Sequence, residues 1–498
     1  LDKQGTSSER SGAEGVASSR LRRAAEQAAV CGFILYAVFA PHSIAGAEIG
    51  LGLVALGWLA RTLVTRSTGF RRTAQDIPIA LFLLWTILSA FLSEEPSVSL
   101  AKLQSVCVLF LFYLTQATVK RRMIFALVSL MIASGVAGVF WSVADLARGR
   151  GVLVEEMSEE SPFRLTPVRP GDAVWRVGGR RVSSVAEIDE AIREAPAGKP
   201  LSVSFITQGE HAEWSALPLN GEMRARPSPS GLKGTGPTRR FRASGWTRHY
   251  ETFSETLQVL AQLALGLGLA ELRRRTRRRG RAAIMLAASA LLAFGIMLTA
   301  MRTVLVAFAL GAVVVTWRAT AQRRLRLLVS AAIISVLAAG AFTVWRTRQA
   351  GALSFQDAST SLRWQVARVA VSRLKLHPFF GHGMDAVKKH WTEWGFPGQD
   401  VIHMHSTPLQ LAFDRGLPAL LLWLWIMASF WRTTTRAEKA ARASVDAEAH
   451  GLLLGATGAL AGLFASSLVN YNFGDAEVAL LFWWLMGIVE VQNSELRT

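Results

Sequence analysis

Five of the chain's nine histidines fall in one polar stretch between two apolar runs, at His377, His382, His390, His403 and His405. Imidazole is the one side chain whose ordinary pKa lets it take a proton from a hydroxyl near neutral pH. His405 is the candidate for that work. Ser406 follows it as an N-cap signal, and the positive end of the helix predicted there favours a neutral ring. His403-x-His405 also has the spacing of a metal pair on an extended strand, but no Asp, Glu or Cys set converges with it in the sequence. No metal and no cofactor are therefore expected. Arg302 is the second candidate, because it interrupts the apolar run FGIMLTAMRTVLVAFALGAVVV. An arginine near membrane depth is costly unless it is paired or faces a wet cavity, and its fork suits two phosphate oxygens. The alternative for Arg302 is a loop-tip side chain snorkelling to lipid headgroups.

These residues need a scaffold, and composition says which kind. The 498 residues are 51% hydrophobic, and the apolar residues come in blocks long enough to cross a bilayer as helices. The blocks predict an all-α polytopic membrane protein with twelve spans. They lie at roughly 27–45, 47–60, 77–93, 99–118, 123–144, 251–271, 282–300, 303–318, 326–344, 408–431, 450–469 and 476–491. Residues 1–26 read as a polar, disordered cytoplasmic tail and 492–498 as a second short tail. Basic clusters at Arg20 to Arg23, Arg61 to Arg72, Lys120 to Arg122, Arg273 to Arg281, Arg318 to Arg326 and Arg432 to Arg442 fall at every second boundary. The short loops 40–48, 94–98 and 470–475 hold no Lys or Arg. The positive-inside rule then puts both termini in the cytoplasm and the alternate loops outside. The arginine run of 273–281 is a topology anchor on anionic lipid rather than a nucleic-acid site. The pair Cys31 and Cys107 lies in apolar blocks and forms no disulfide framework.

Two long outer loops, 145–250 and 345–407, are basic themselves, as a solvated surface or as an attraction for an anionic substrate. In the first, Gly178-Gly179 marks a turn, and Ser184 caps a helix 185–194 with Ile188 and Ile192 one turn apart. Leu201, Val203 and Phe205 alternate as a half-buried strand, and Gly151 to Glu155 offer another. Residues 169–218, from RPGDAVWRVGGRRV through GKPLSVSFITQG, resemble the bacterial PDZ pattern. The resemblance implies a small α+β periplasmic insertion over 145–220 that docks a periplasmic protein, although no obvious carboxylate-binding loop is present. Residues 221–250, rich in Pro, Gly and Ser at their start, read as a linker back to the membrane.

Longer motifs surround the histidines. HPFFGHG at 377–383, with Arg363-Trp364 upstream, resembles the R-x-x-x-W…H-P-x-x-G-x-G signature of the O-antigen ligase and polymerase superfamily. His405-Ser406-x-x-Leu409-Gln410 followed by Gly416-Leu417-Pro418 resembles its H-[NS]-x-x-L-Q…G-L-P-G block. LTAMRTVLVAF around Arg302 and Arg242-Ala243-Ser244-Gly245 resemble two further arginine-bearing segments; Arg248 is the rival of Arg242. The resemblance spans roughly 239–431. It implies a bacterial inner-membrane glycosyltransferase over spans six to twelve (251–491), working on the periplasmic side without metal or nucleotide. The donor it implies is a glycan on undecaprenyl diphosphate, and the acceptor a hydroxyl of another glycan or of lipid A core. It implies His405, Arg302 and Arg242 as catalytic groups. Arg248, Arg363, His377, Gly381, Gly383, Ser406 and Gln410 are the substrate-binding residues it implies.

Two other classes compete: a transporter or flippase of a lipid-linked anionic saccharide, and a PDZ-bearing assembly protein anchored by its helices. Inverted repeats would favour the first, and the halves show no convincing correspondence. The second leaves Arg302 and the HMHS block unexplained. The charge pattern makes a direct prediction. Single cysteines placed in 155–235 and 385–400 react with a membrane-impermeant thiol reagent from outside, and those in 273–281 do not. Labelling of the arginine run from outside would overturn the orientation.

Overall fold

The structure, a computed structural model, describes residues 5–496 apart from 197, 198, 208, 248, 274–278, 321, 325, 329, 332–334, 336, 337, 339–357, 399–401 and 445. The side chains of 5–18 and 358–360 also lie outside the description. Among the described residues, eight helices are long and apolar enough to cross a membrane. Helices overlie each expected span except 326–344, most of which is outside the described residues. A helix runs Gly5–Phe39, through the stretch read as a disordered tail. Residues 20–26, RLRRAAE, favour a helix, whereas residues 5–19 hold three Gly and five Ser, which do not.

The chain divides into two compact units. The larger is the helical unit, residues 1–138, 246–297 and 301–498. Its most enclosed span is the helix Tyr250–Leu272. Thr252, Ser254, Glu255, Gln258 and Gln262 make this span too polar to face lipid, so it is buried among other helices. Gln258 hydrogen-bonds Gln262, whose Nε2 donates to the Phe308 carbonyl at 3.2 Å. Its close neighbour is the helix Ala447–Ser467, and a Cβ on Gly266 would stand 2.3 Å from the Gly455 nitrogen. Small residues on both faces let the two backbones touch. The fourth expected span is not one helix. It runs as Pro96–Lys102, a 3-10 segment Leu103–Leu109, and Phe110–Thr118. Irregular backbone at membrane depth occurs where it lines a cavity.

The smaller unit, residues 139–245 with 298–300, holds an antiparallel sheet. Its strands are β1 (Val152–Met157), β2 (Ala173–Val177), β3 (Arg180–Arg181), β4 (Leu201–Thr207), β5 (Glu210–Leu217) and β6 (Leu232–Thr235). The order is β5-β4-β2-β1-β6, with β3 paired to β2. Val174 faces Phe205 and Val203 faces Trp214 across the ladders. Ser184 caps the helix Val185–Glu194 by accepting from the Glu187 nitrogen at 3.2 Å, and the Glu187 carboxylate accepts in turn from the Ser183 nitrogen. Ile188 and Ile192 are buried with Val203 and Phe205. The expected linker is partly wrong: Leu232 to Thr235 form β6 against β1, and Leu232 is buried. The Pro-Gly-Ser composition of 226–231 marks the turn that brings this strand back. In a soluble fragment of residues 145–240, Leu232→Ala should lower stability by about 2–5 kcal/mol in urea titration. An unchanged midpoint would return the segment to a linker.

Candidate functional site

The site is built on a broken helix. The helix Thr407–Ala443 starts at Ser406, whose hydroxyl accepts from the Leu409 nitrogen at 3.4 Å. It breaks at Gly416, which adopts φ 81° and ψ 170°. A break strips carbonyls of their helical donors, and the HPFFGHG loop supplies replacements. The His382 nitrogen donates to the Phe413 carbonyl at 2.8 Å and the Gly383 nitrogen to that of Asp414 at 3.0 Å. Trp85 Nε1 donates to the Arg415 carbonyl at 2.9 Å. Beyond the break, the Leu417 nitrogen donates to the Pro378 carbonyl at 2.8 Å. The approach is close enough to exclude side chains. A Cβ on Gly381 would stand 2.5 Å from the Arg415 nitrogen, and one on Gly416 1.8 Å from the Phe379 oxygen. The glycines of the two motifs thus fit each other's backbone.

A clamp holds the loop from its other side. His382 is fully buried, with Nδ1 2.5 Å from Glu94 Oε2 and Nε2 3.1 Å from the Arg373 carbonyl. Its ring stacks on Phe413 at 4.4 Å between centroids. His377 Nε2 lies 3.8 Å from the same Glu94 oxygen. Glu94, His377 and His382 are the one group among the described residues that could hold a metal ion. The Glu94–His382 contact is a hydrogen bond, however, shorter than the roughly 3.3 Å between two donors on a tetrahedral zinc. His390 is half-buried between Glu393 and Glu95, 2.6 Å from each, and those hydrogen bonds raise its pKa.

Beside this frame lies a cavity of about 650 Å³ within the helical unit. His403 lines it and His405 does not, their rings standing 4.3 Å apart. His405 holds a left-handed φ of 49°, a strained backbone for a non-glycine residue. Its nitrogen donates to His403 Nδ1 at 3.2 Å, which leaves the proton of a neutral His403 on Nε2. Burial, then the charges of Arg363 and Lys388, lower the His403 pKa to about 4. Burial, then His403 and Arg363, lower that of His405 to about 3. Both rings are therefore neutral at pH 7. Arg363, on the helix Ala358–Leu374, has a buried Nε without a hydrogen-bond partner. Gln410 ties the His loop to the broken helix: it accepts from the Met404 nitrogen and donates to Asp414 Oδ1, each at 2.8 Å.

The expected arginines are placed differently. Arg302 opens the helix Arg302–Ala319, half-buried and outside the cavity lining. Its neighbour Thr303 accepts from Asn470 Nδ2 at 3.3 Å, and Asn470 lines the cavity. Arg242 belongs to the sheet unit, where it pairs with Glu210 at 2.7 Å. Arg248 lies outside the described residues. The structure also brings to the cavity residues that the motifs did not indicate: Asp414, Arg415, Tyr471 and Asp475. Asp475 accepts from Thr252 at 2.8 Å, and burial pushes its pKa up to about 6.

Residues 287–424 match the model of a family described as O-antigen ligase. Over 74 residues the chain is 30% identical to the magnetosome formation protease MamE of Magnetospirillum gryphiswaldense. That match covers 15% of this chain and 10% of that protein, so the chain spans a tenth of the length of this relative. The packing at the break is directly testable. Gly416→Ala should lower the melting temperature of the detergent-purified protein, since positive φ alone costs about 1–3 kcal/mol and the clash adds to it. A wild-type melting curve would show that the loop and helix are not locked.

Proposed function

We propose, from the O-antigen ligase domain at residues 287–424, that this multi-pass membrane protein moves a glycan from undecaprenyl diphosphate to an acceptor hydroxyl. The acceptor is another glycan chain or lipid A core, and the two substrates meet at the side of the cavity lined by His403, whose ring stands 4.3 Å from that of His405. The observation that carries the reading is the cavity wall, which combines a neutral imidazole N–H, carboxylates and arginine around one space within the matched stretch. The alternation of basic clusters supports an inner-membrane protein with cytoplasmic termini and a periplasmic reaction. The sheet unit, with the strand and helix order of its PDZ-like sequence, is proposed as a docking module for a periplasmic protein.

In this reaction the acceptor oxygen forms a bond to the anomeric carbon as the bond from that carbon to the diphosphate oxygen breaks. The electron pair leaves on the diphosphate, and the acceptor proton passes to a ring nitrogen of His405. Arg302, next to the cavity through Thr303 and Asn470, and Arg363, within electrostatic reach of both histidines, supply positive charge where the leaving group's negative charge grows, so that no metal is required. His403 donates from Nε2, which suits an oxygen becoming anionic rather than a base. Burial, with the charges of His403 and Arg363 behind it, holds His405 neutral in the free enzyme, and an anionic donor that offsets Arg363 raises the ring's basicity. Asp475 is the rival base, because it lines the cavity and its pKa lies near neutrality.

His405→Ala should lower turnover by about 10²–10⁴-fold while leaving donor-lipid binding intact. The pH profile separates the two bases. A lowered histidine pKa keeps the ring neutral as pH falls through 6.5, so kcat/KM should hold until pH approaches about 3. An acid limb near pH 6 that survives in His405→Ala would assign the role to Asp475. Near-normal turnover in both His405→Ala and Asp475→Asn, with donor still bound, would favour a transporter.

A further inference from the structure

Arg415 is the cavity cation that the fold leaves unanswered. It lines the cavity at 8% exposure, and its Nε is buried without a hydrogen-bond partner. Among the described residues its guanidinium meets no carboxylate at salt-bridge distance. Lys102 and Lys388, which also line the cavity, each reach Asp385 at 3.1 Å. The neighbouring Asp414 feels the Arg415 charge without forming a salt bridge to it, and its Oδ1 accepts from Gln410. The nearest aromatic support for Arg415 is the Phe82 ring, 5.5 Å from the guanidinium carbon.

A buried, unpaired charge is unfavourable, and a guanidinium cannot relieve it by losing a proton. The backbone of Arg415 is pinned, since Trp85 holds its carbonyl and Gly381 packs on its nitrogen. A cation on a pinned backbone, lining an open space, is a candidate subsite for an anion. The cavity lining holds three cations, Lys102, Lys388 and Arg415, and six acids, Glu48, Glu251, Glu255, Asp385, Asp414 and Asp475, and of the cations both lysines are paired with Asp385. Glu251, Glu255 and Asp475 gather around Thr252 and Asn470 instead.

We propose that Arg415 is an anion-binding residue of the cavity, and that its ligand is a phosphate or carboxylate group of a substrate. This rests on the reading that the cavity takes the substrates. Two parts of a lipid-linked glycan carry that chemistry: the diphosphate of the carrier and an acidic sugar in the chain. Trp423 and Trp483 line the cavity and report binding by fluorescence.

The test titrates the purified full chain with inorganic diphosphate, with glucuronate, and with glucose as the neutral control. Wild type should bind at least one anion, and R415Q should bind it about ten- to a hundred-fold more weakly, as expected when a charged hydrogen bond is lost. R415K, which keeps the charge without the fork, should fall between. Loss confined to diphosphate assigns the subsite to the carrier, and loss confined to glucuronate assigns it to an acidic sugar. Saturable binding of neither anion by wild type would overturn the proposal, as would equal affinities in wild type and R415Q. If R415Q does not fold, wild-type affinity in R415K has the same consequence. Anion binding is read without transfer, so Arg415-dependent binding in a protein that transfers nothing would sink the transferase reading alone.

Discussion

The break at Gly416 frees the carbonyls of Phe413, Asp414 and Arg415, and most of the site depends on how those three oxygens are satisfied. In a membrane no water replaces the missing donors, so protein must. Two come from the backbone of the HPFFGHG loop and one from Trp85. Meeting that demand fixes the loop on the half-helix Thr407–Arg415, and the half-helix carries Gln410, Asp414 and Arg415 to the cavity. The clamp of Glu94 on His382 then fixes the loop to the turn after the helix Asp76–Leu92. A break that would destabilise an isolated span becomes a device for presenting polar groups at membrane depth.

The histidine pair shows how charge shares out roles between similar side chains. One hydrogen bond, from the His405 nitrogen to His403 Nδ1, decides which nitrogen of His403 keeps its proton. Burial and Arg363 keep both rings neutral. On the proposed reaction this divides the work: His403 offers a hydrogen, His405 accepts one, and the arriving anion changes the basicity of the acceptor. The strain stored in the φ of His405 accompanies this arrangement.

Hydropathy and the motif residues together carried the helical architecture and the stretch that holds the site, because apolar block length and loop polarity are local properties. The partners of those residues were not legible. Gly381 and Gly383 read as ligand-loop glycines, whereas their backbone meets a helix more than thirty residues onward. Arg242 sits in a family-like register, yet its Glu210 partner becomes visible only when the chain folds back along the sheet. Asp414-Arg415 was the missed signal: a charged pair in an otherwise apolar run is conspicuous, but the motif reading passed from Gln410 to Gly416 without it. The strand β6 was lost to its composition, since Pro, Gly and Ser announce a turn but leave the next element unspecified.

Direct displacement at the anomeric carbon is the centre of the proposed chemistry, and the linkage it makes records it. The most direct measurement is the anomeric configuration, by NMR, of the bond formed by purified protein from an undecaprenyl-diphosphate glycan and its acceptor in the presence of EDTA. Inversion relative to the donor is the expected result. Retention of configuration would contradict it, because a cavity carboxylate such as Asp475 would then have formed a glycosyl intermediate, and loss of product with EDTA would contradict a metal-independent transfer.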